Sequence, residues 1–209
     1  MVITRLRLGE FATNCYIIQG PQSDVCIVID PADNGPEICR TLQALGTIPQ
    51  AVLLTHSHFD HILAVPYLQQ QWPNLPVFCH SLDCPKETTE KYNGKIYPTV
   101  SAFQNLCHYS EGETITAGGL NVQVIFTPGH TPGSVVLIIE NAMFTGDTLF
   151  KGSICRTDFE GGDSRAMMSS LRRLAALQPD YDVYPGHNES TTLNSERAFN
   201  PYLKILQER

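Results

Sequence analysis

Residues 55–65, THSHFDHILAV, place three histidines and an aspartate within six positions: His56, His58, Asp60 and His61. Only seven histidines occur in the 209 residues, so this concentration calls for a cause. The cluster follows an apolar run, Ala51-Val52-Leu53-Leu54, that reads as a buried strand. In extended chain, side chains two apart point to one side, so His56 and His58 share a face. His61 falls near the start of a helix, with Asp60 just before it. A strand-to-helix loop therefore aims up to four ligand-type side chains into one space. Imidazole mixed with carboxylate suits borderline metals such as zinc.

Three later segments also end a strand pattern on a ligand-type residue. VIFTPGHTPGS brings His130, AMFTGDTLF brings Asp147, and DVYPGHNES brings His187. In each, a glycine immediately precedes the ligand-type residue and permits a tight backbone bend. Loops at strand ends can converge on one edge of a layered fold. The set is five histidines and two aspartates, enough for two metal ions and excessive for one.

The remaining pattern supplies such a fold. Strands are predicted over 2–8, 14–19, 25–30 and 50–54, and a helix over 36–45 with Gly46 just past its end. Residues 61–72 read as one helix despite Pro66, and 75–80 as a short strand. For 81–104 the expectation is a short helix and a loop. Antiparallel strands come next at 120–127, 134–140 and 142–147. A helix is predicted over 163–177 with Asp163 as its cap, a short strand at 182–187, and a final helix or two over 194–206 interrupted at Pro201. Two similar halves, each mixing strands with covering helices, imply an α/β (α+β) layered sandwich.

Composition narrows the partners. The formal net charge of −7 argues against nucleic acid, whose phosphates attract basic surfaces. The longest clean apolar run, Val135–Ile139, is far short of the roughly 18 residues of a membrane span. The start, MVITRLRLGEF, alternates like a strand and has no signal-peptide core. Seven scattered cysteines without a CxxC pair suggest reduced thiols, so the expected location is the cytoplasm. His80 and His108 each adjoin a cysteine, but the spacing matches no familiar zinc pattern, and they read as spectators.

In this order, THSHFDH at 55–61, GHTPGS at 129–134, GDTLF at 146–150 and PGH at 185–187, the chain resembles the metallo-β-lactamase superfamily. TNCY at 13–16, FTGDTLF at 144–150 and GSICRTDFEGG at 152–162 make it similar to one branch, the glyoxalase II-like hydrolases. The resemblance implies a four-layer αββα sandwich with the metals at one edge. It implies His56, His58 and His130 on one divalent ion, Asp60, His61 and His187 on another, and Asp147 bridging them. The ions are expected to be zinc, with iron or manganese as alternatives. A hydroxide held between them would attack the substrate carbonyl, with Asp60 fixing its direction.

The narrower likeness implies a small-molecule thioester substrate, with S-D-lactoylglutathione as the prototype. Full-length members of that branch carry a C-terminal helical domain that grips glutathione. Only 22 residues follow His187 here, so residues 1–209 are expected to form a single domain without that addition. Arg156 lies where the family places a substrate-binding base and is expected to bind a substrate carboxylate or carbonyl. A salt bridge to Asp158 or Asp163 is the structural alternative. Cys155 stands where related chains carry glycine, and reads as a plain thiol that crowds the pocket or alters its loop. The rival enzyme is a persulfide dioxygenase with one iron on His56, His130 and Asp147, sharing the RTDF segment at 156–159. A β-lactamase is disfavoured by Asp147 and the lack of an export signal, and a nuclease by acidity. A non-catalytic member of the fold would be expected to have lost ligands, and all seven are present.

Overall fold

Alternation along the strands sorts apolar side chains onto two faces, and this sorting builds four layers. The computed structural model describes residues 1–21 and 24–207. The first half begins with β1 (Val2–Leu8), β2 (Thr13–Gln19), β3 (Val25–Ile29), helix α1 (Gly35–Ala44) and β4 (Ile48–Leu53). Helices α2 (Phe59–Ile62) and α3 (Val65–Gln71) lead to β5 (Val77–Cys79), a separate hairpin of β6 (Thr89–Tyr92) and β7 (Lys95–Pro98), and β8 (Leu106–His108). The first sheet runs β1-β2-β3-β4-β5-β8, antiparallel through β3 and parallel beyond it.

The second half contains β9 (Thr114–Ala117), β10 (Leu120–Phe126), β11 (Val135–Ile139), β12 (Ala142–Gly146) and a small hairpin of β13 (Leu149–Phe150) and β14 (Ser153–Ile154). Helix α4 (Ser164–Ala175), β15 (Asp182–Pro185), β16 (Thr191–Thr192), α5 (Leu193–Phe199) and α6 (Pro201–Gln207) complete it. The second sheet runs β16-β15-β12-β11-β10-β9.

In β2, Ile17 packs outward with Ile38 and Leu42 of α1 and Leu68 of α3. Its neighbour Ile18 packs inward with Leu53, Val124, Leu137 and Phe144 between the sheets. On the far side, Val136, Ile138 and Met143 meet Met167, Leu171 and Leu174 of α4. Helix, sheet, sheet, helix is therefore the order of layers, the αββα sandwich that the sequence resemblance implies. Phe144, fully buried, packs against Tyr16 and Tyr184 at 5.2 and 5.3 Å between ring centroids. Burying such a ring contributes roughly 1.5–3 kcal/mol. Asp163 caps α4, its Oδ1 accepting from Arg165 N at 2.7 Å and Ala166 N at 3.1 Å. Among the described residues, no helix is long and apolar enough to cross a membrane.

Two expectations are corrected. Residues 61–72 do not form one helix: α2 and α3 are separated at Leu63-Ala64. The amides of Leu63 and Ala64 donate instead to Ala32 O and Pro31 O, each at 3.0 Å, which ties them to the loop after β3. Pro66 sits in the first turn of α3, where a missing N–H costs nothing. Residues 81–104 are not merely a short helix and a loop. Single 3₁₀ turns at Ser81–Asp83 and Val100–Ala102 flank the β6–β7 hairpin. Asn93 and Gly94 close it with φ of 46° and 77°, the positive pair that a two-residue hairpin turn requires.

Candidate metal centre

The strand β4 ends just before Thr55, and Asp30, at the end of β3, fixes the loop that leaves it. The Asp30 carboxylate accepts from Thr55 N at 2.8 Å, Thr55 Oγ1 at 2.7 Å and His61 Nδ1 at 2.9 Å. One buried side chain thus holds both ends of the 56–61 stretch. Thr55 Oγ1 also lies 3.1 Å from His56 Nδ1. His58 stands at the N-terminal cap position of α2, and Thr13 Oγ1 donates to Asp60 Oδ2 at 2.9 Å.

The second sheet contributes through separate loops. His130 comes after β10, and its Nδ1 donates to Arg156 O at 2.8 Å. Asp147 comes after β12, and His187 after β15. Gly146 has φ of 46°, and a β-carbon there would overlap Thr55. A β-carbon on Gly186 would lie 2.5 Å from Asp147 Oδ1 and 2.7 Å from His61 Cε1. Only glycine lets these loops approach so closely. The two sheets are also bonded together here. Asn14 Nδ2 donates to Pro185 O at 2.9 Å and Asn188 O at 3.0 Å, and Tyr16 OH donates to Pro185 O at 2.6 Å.

All seven residues singled out in the sequence meet. Ligand atoms of His56, His58 and His130 lie within 4.8 Å of one another, as do those of Asp60, His61 and His187. Asp147 stands between the groups: Oδ1 is 3.5 Å from His61 Nε2, and Oδ2 is 3.6 Å from both His130 Nε2 and His187 Nε2. His130 Nε2 and His58 Nδ1 are 2.8 Å apart. His56 Nε2, His61 Nε2 and Asp147 Oδ1 are buried and have no hydrogen-bond partner among the described residues. Buried polar atoms are almost always satisfied, and His61 Nε2 and Asp147 Oδ1 meet only as a charge pair at 3.5 Å, so three buried atoms without a hydrogen bond aimed into one space fit bound metal. The Nδ1 atoms of His61 and His130 are occupied by Asp30 and Arg156 O, which orients their Nε2 atoms inward.

Electrostatics match this donor set. Burial, then the neighbouring imidazoles, hold His56 well below its ordinary range. Burial and His130 bring His58 down to about 4. Both are neutral at neutral pH, as ligands must be. Burial opposes protonation of His61, but Asp147, Asp60 and Asp30 outweigh it and push the metal-free imidazole up to about 10. Burial would raise Asp60, yet His61, His187 and Thr13 hold it well below the usual carboxylate range.

A cavity of about 730 Å³ opens onto the centre, walled by Phe11, Tyr92, Phe150 and Phe159, with Glu90, Lys91, Arg156 and Glu160 among its polar lining. The Arg156 guanidinium pairs with Asp158 through two 2.6 Å hydrogen bonds and lies 4.3 Å from the Phe159 ring centre. Asp163 is occupied instead as the α4 cap. Cys155 is on the cavity wall and donates to Asp147 Oδ2 at 3.3 Å. Burial and Asp147 push its thiol up, so it stays protonated at neutral pH.

Sequence reasoning missed Asp30, Asp83 and the hairpin. Asp30 carried a usable signal, an acid ending an apolar strand, as Asp147 does. Asp83 accepts from Ser57 N at 3.2 Å, Thr131 Oγ1 at 2.8 Å and Gly133 N at 2.7 Å, joining the His56–His58 loop to the His130 loop. The hairpin's Tyr97 stacks on Phe59 at 4.3 Å, which places Tyr92 over the cavity. His80 accepts from Leu82 N through Nδ1 at 3.0 Å and packs on Phe126. His108, by contrast, converges with Cys79 and Cys84.

Residues 8–187 match the family model of the metallo-beta-lactamase superfamily. Among curated relatives, a probable metallo-hydrolase, YqgX of Bacillus subtilis, is 32% identical over 95% of this chain and 96% of its own. The hydroxyacylglutathione hydrolase GloC of Haemophilus influenzae is 32% identical over 97% of this chain and 98% of its own. A hydroxyacylglutathione hydrolase of Xylella fastidiosa is 38% identical, and there 88% of this chain covers 63% of the relative. Among solved structures, the B3 metallo-beta-lactamase BLEG-1 superposes with a TM-score of 0.88 at 30% identity, covering 97% of this chain and 99% of that one. A di-iron-bound form of TTHA1623 gives 0.82 at 34% identity, over 96% and 100%. ETHE1 from Myxococcus xanthus gives 0.76 at 27% identity, over 100% and 91%.

Proposed function

The chain belongs to the metallo-beta-lactamase superfamily, and from that premise we propose that it is a binuclear metal-dependent hydrolase of a thioester such as S-D-lactoylglutathione. The observation that carries the reading is the set of three orphaned buried atoms, His56 Nε2, His61 Nε2 and Asp147 Oδ1, inside two ligand triads. His56, His58 and His130 would hold one divalent ion, zinc, iron or manganese; Asp60, His61 and His187 would hold the other, and Asp147 would serve both. Such ions supply a water ionised near neutral pH and polarise a carbonyl.

The chain's own residues supply the rest. Asp60, whose Oδ2 is fixed by the Thr13 hydroxyl, would accept the hydrogen bond that orients the attacking water. The aromatic walls offer the acyl group an apolar surface, and Arg156 would reach the carbonyl or a substrate carboxylate by releasing Asp158. A thiolate leaves without protonation, so the reaction needs no strong general acid beside the metal ligands. The Haemophilus relative, named a hydroxyacylglutathione hydrolase at matching length, supports this substrate class.

The test is thiol release from S-D-lactoylglutathione by the metal-replete protein, with Asp60→Asn beside it and a β-lactam as the comparison substrate. Rapid release lost in the variant is expected. Its absence from protein holding two ions per chain overturns the substrate assignment. A second reading, a mononuclear-iron persulfide dioxygenase on His56, His130 and Asp147, draws on the RTDF segment and the likeness to ETHE1. Oxygen uptake with glutathione persulfide by the iron-loaded protein selects it.

A further inference from the structure

A second cluster of ligand-type atoms lies away from the His/Asp centre. Cys79 ends β5, Cys84 comes one 3₁₀ turn later, and His108 ends β8. The strands β5 and β8 are parallel neighbours, with Cys79 directly in register with His108. Paired residues of adjacent strands share a face, so the thiol and the imidazole leave the sheet together. The intervening turn brings Cys84 back over them. Cys79 Sγ and Cys84 Sγ are 3.3 Å apart, and His108 Nδ1 is 3.9 Å from each.

Tetrahedral zinc, with Zn–S near 2.3 Å and Zn–N near 2.0–2.1 Å, sets its ligand atoms about 3.6–3.8 Å apart. The three atoms here need only shifts of a few tenths of an ångström to reach that spacing. Cys79 is buried, Cys84 half-buried and His108 exposed, so the cluster reaches from the core to the surface. A disulfide would use two of these groups and leave unexplained why a third, from a strand 24 residues further on, faces both sulfurs. Two thiols and one imidazole select a thiophilic cation over calcium or magnesium, which prefer oxygen.

The turn enclosed between the two cysteines carries Asp83. That carboxylate, itself buried, joins the loop of His56 and His58 to the loop after His130. Closing Cys79 and Cys84 onto His108 would restrain the turn from behind.

We propose that Cys79, Cys84 and His108 form a further metal site that takes a thiophilic divalent cation such as zinc, and that the bound ion pins the turn presenting Asp83 to the catalytic loops. The site stands apart from the seven residues of the His/Asp centre and does not rest on the reaction proposed for it.

The test compares the full chain with Cys84→Ser and with His108→Ala, each reduced, loaded with zinc and freed of excess metal. Bound zinc per chain is expected to fall by one equivalent in each variant. The difference is read rather than the total, so a centre that holds one ion instead of two leaves the test intact. Cobalt-loaded wild type is expected to show a thiolate-to-cobalt charge-transfer band in the near ultraviolet. The band should be lost in Cys84→Ser and retained in Cys155→Ala, which separates it from the thiol beside Asp147. Zinc is also expected to raise the thermal midpoint of wild type more than that of His108→Ala, whose exposed position makes it the safer variant to fold. Equal zinc content and an unchanged cobalt spectrum across the set would overturn the proposal. So would reduced wild type that takes no ion beyond the His/Asp centre, or a Cys79–Cys84 disulfide re-forming in place of metal uptake.

Discussion

The two sheets reach one centre by opposite routes. The first delivers four ligand-type side chains from a single stretch, residues 56–61, fixed at both ends by Asp30. The second delivers His130, Asp147 and His187 singly, each from its own strand end. The first set is therefore a local property, held chiefly by Asp30, with Asp83 on Ser57 N and Thr13 on Asp60 as lesser ties. The second is a property of the packed sheet, held by glycines that allow close approach and by Asn14 and Tyr16 reaching across from the first sheet. Damage to the first set should be concentrated in one residue, and damage to the second should be shared.

The sharpest test of that contrast is Asp30→Ala. It strands the Thr55 amide and hydroxyl and the inward orientation of His61 in a buried place, and should cost about 3–5 kcal/mol in urea unfolding together with most of the bound metal. Retention of full metal content would show that the loop holds its shape unaided. Asn14→Ala removes one of two ties to Pro185 O and should cost about 1–2 kcal/mol, with metal content kept because Tyr16 remains. Tyr16→Phe should cost less, about 0.5–1.5 kcal/mol. If either single change empties the centre, the second set is not redundantly held.

Metal uptake sharpens the comparison by pH. His61, raised from an ordinary 6.5 to about 10, carries a proton in the metal-free protein, whereas His56 and His58 are neutral. Its raised value stabilises the metal-free fold below about pH 6.5, and that contribution is lost as pH rises through about 10. Binding at His61 must release the proton, so apparent metal affinity should climb across the same window. Calorimetry in buffers of different ionisation enthalpy measures the release; a pH-independent affinity would contradict the assignment. The smallest structural effect belongs to Arg156→Ala. Its exposed pair with Asp158 should leave the unfolding midpoint in place, while KM for the thioester rises. An unchanged KM would remove Arg156 from substrate binding.

The contrast also explains what could be read from the chain. The grouping of the 56–61 stretch was legible because its four ligand-type residues fall within six positions, and that of His130, Asp147 and His187 because each comes after an apolar run and a glycine. The layered fold was legible from the same alternation that sorts Ile17 and Ile18 onto opposite faces. The break between α2 and α3 was not, because it depends on Pro31 and Ala32 accepting hydrogen bonds from a distant turn. The β6–β7 hairpin was written plainly in Asn93-Gly94, but its flanking residues have little apolar alternation, since much of its surface faces solvent. The grouping of Cys79, Cys84 and His108 depends on β5 pairing with β8, and the role of Asp83 on reaching Thr131 and Gly133 in the other half of the chain, long-range choices that no local spacing records.

The most direct measurement is anomalous diffraction at the zinc edge from crystals of the zinc-loaded protein. The account predicts two peaks about 3.5–4 Å apart, one among His56, His58 and His130 and the other among Asp60, His61 and His187, with Asp147 between them. A single peak on His56, His130 and Asp147, with nothing at Asp60, His61 and His187, would contradict it.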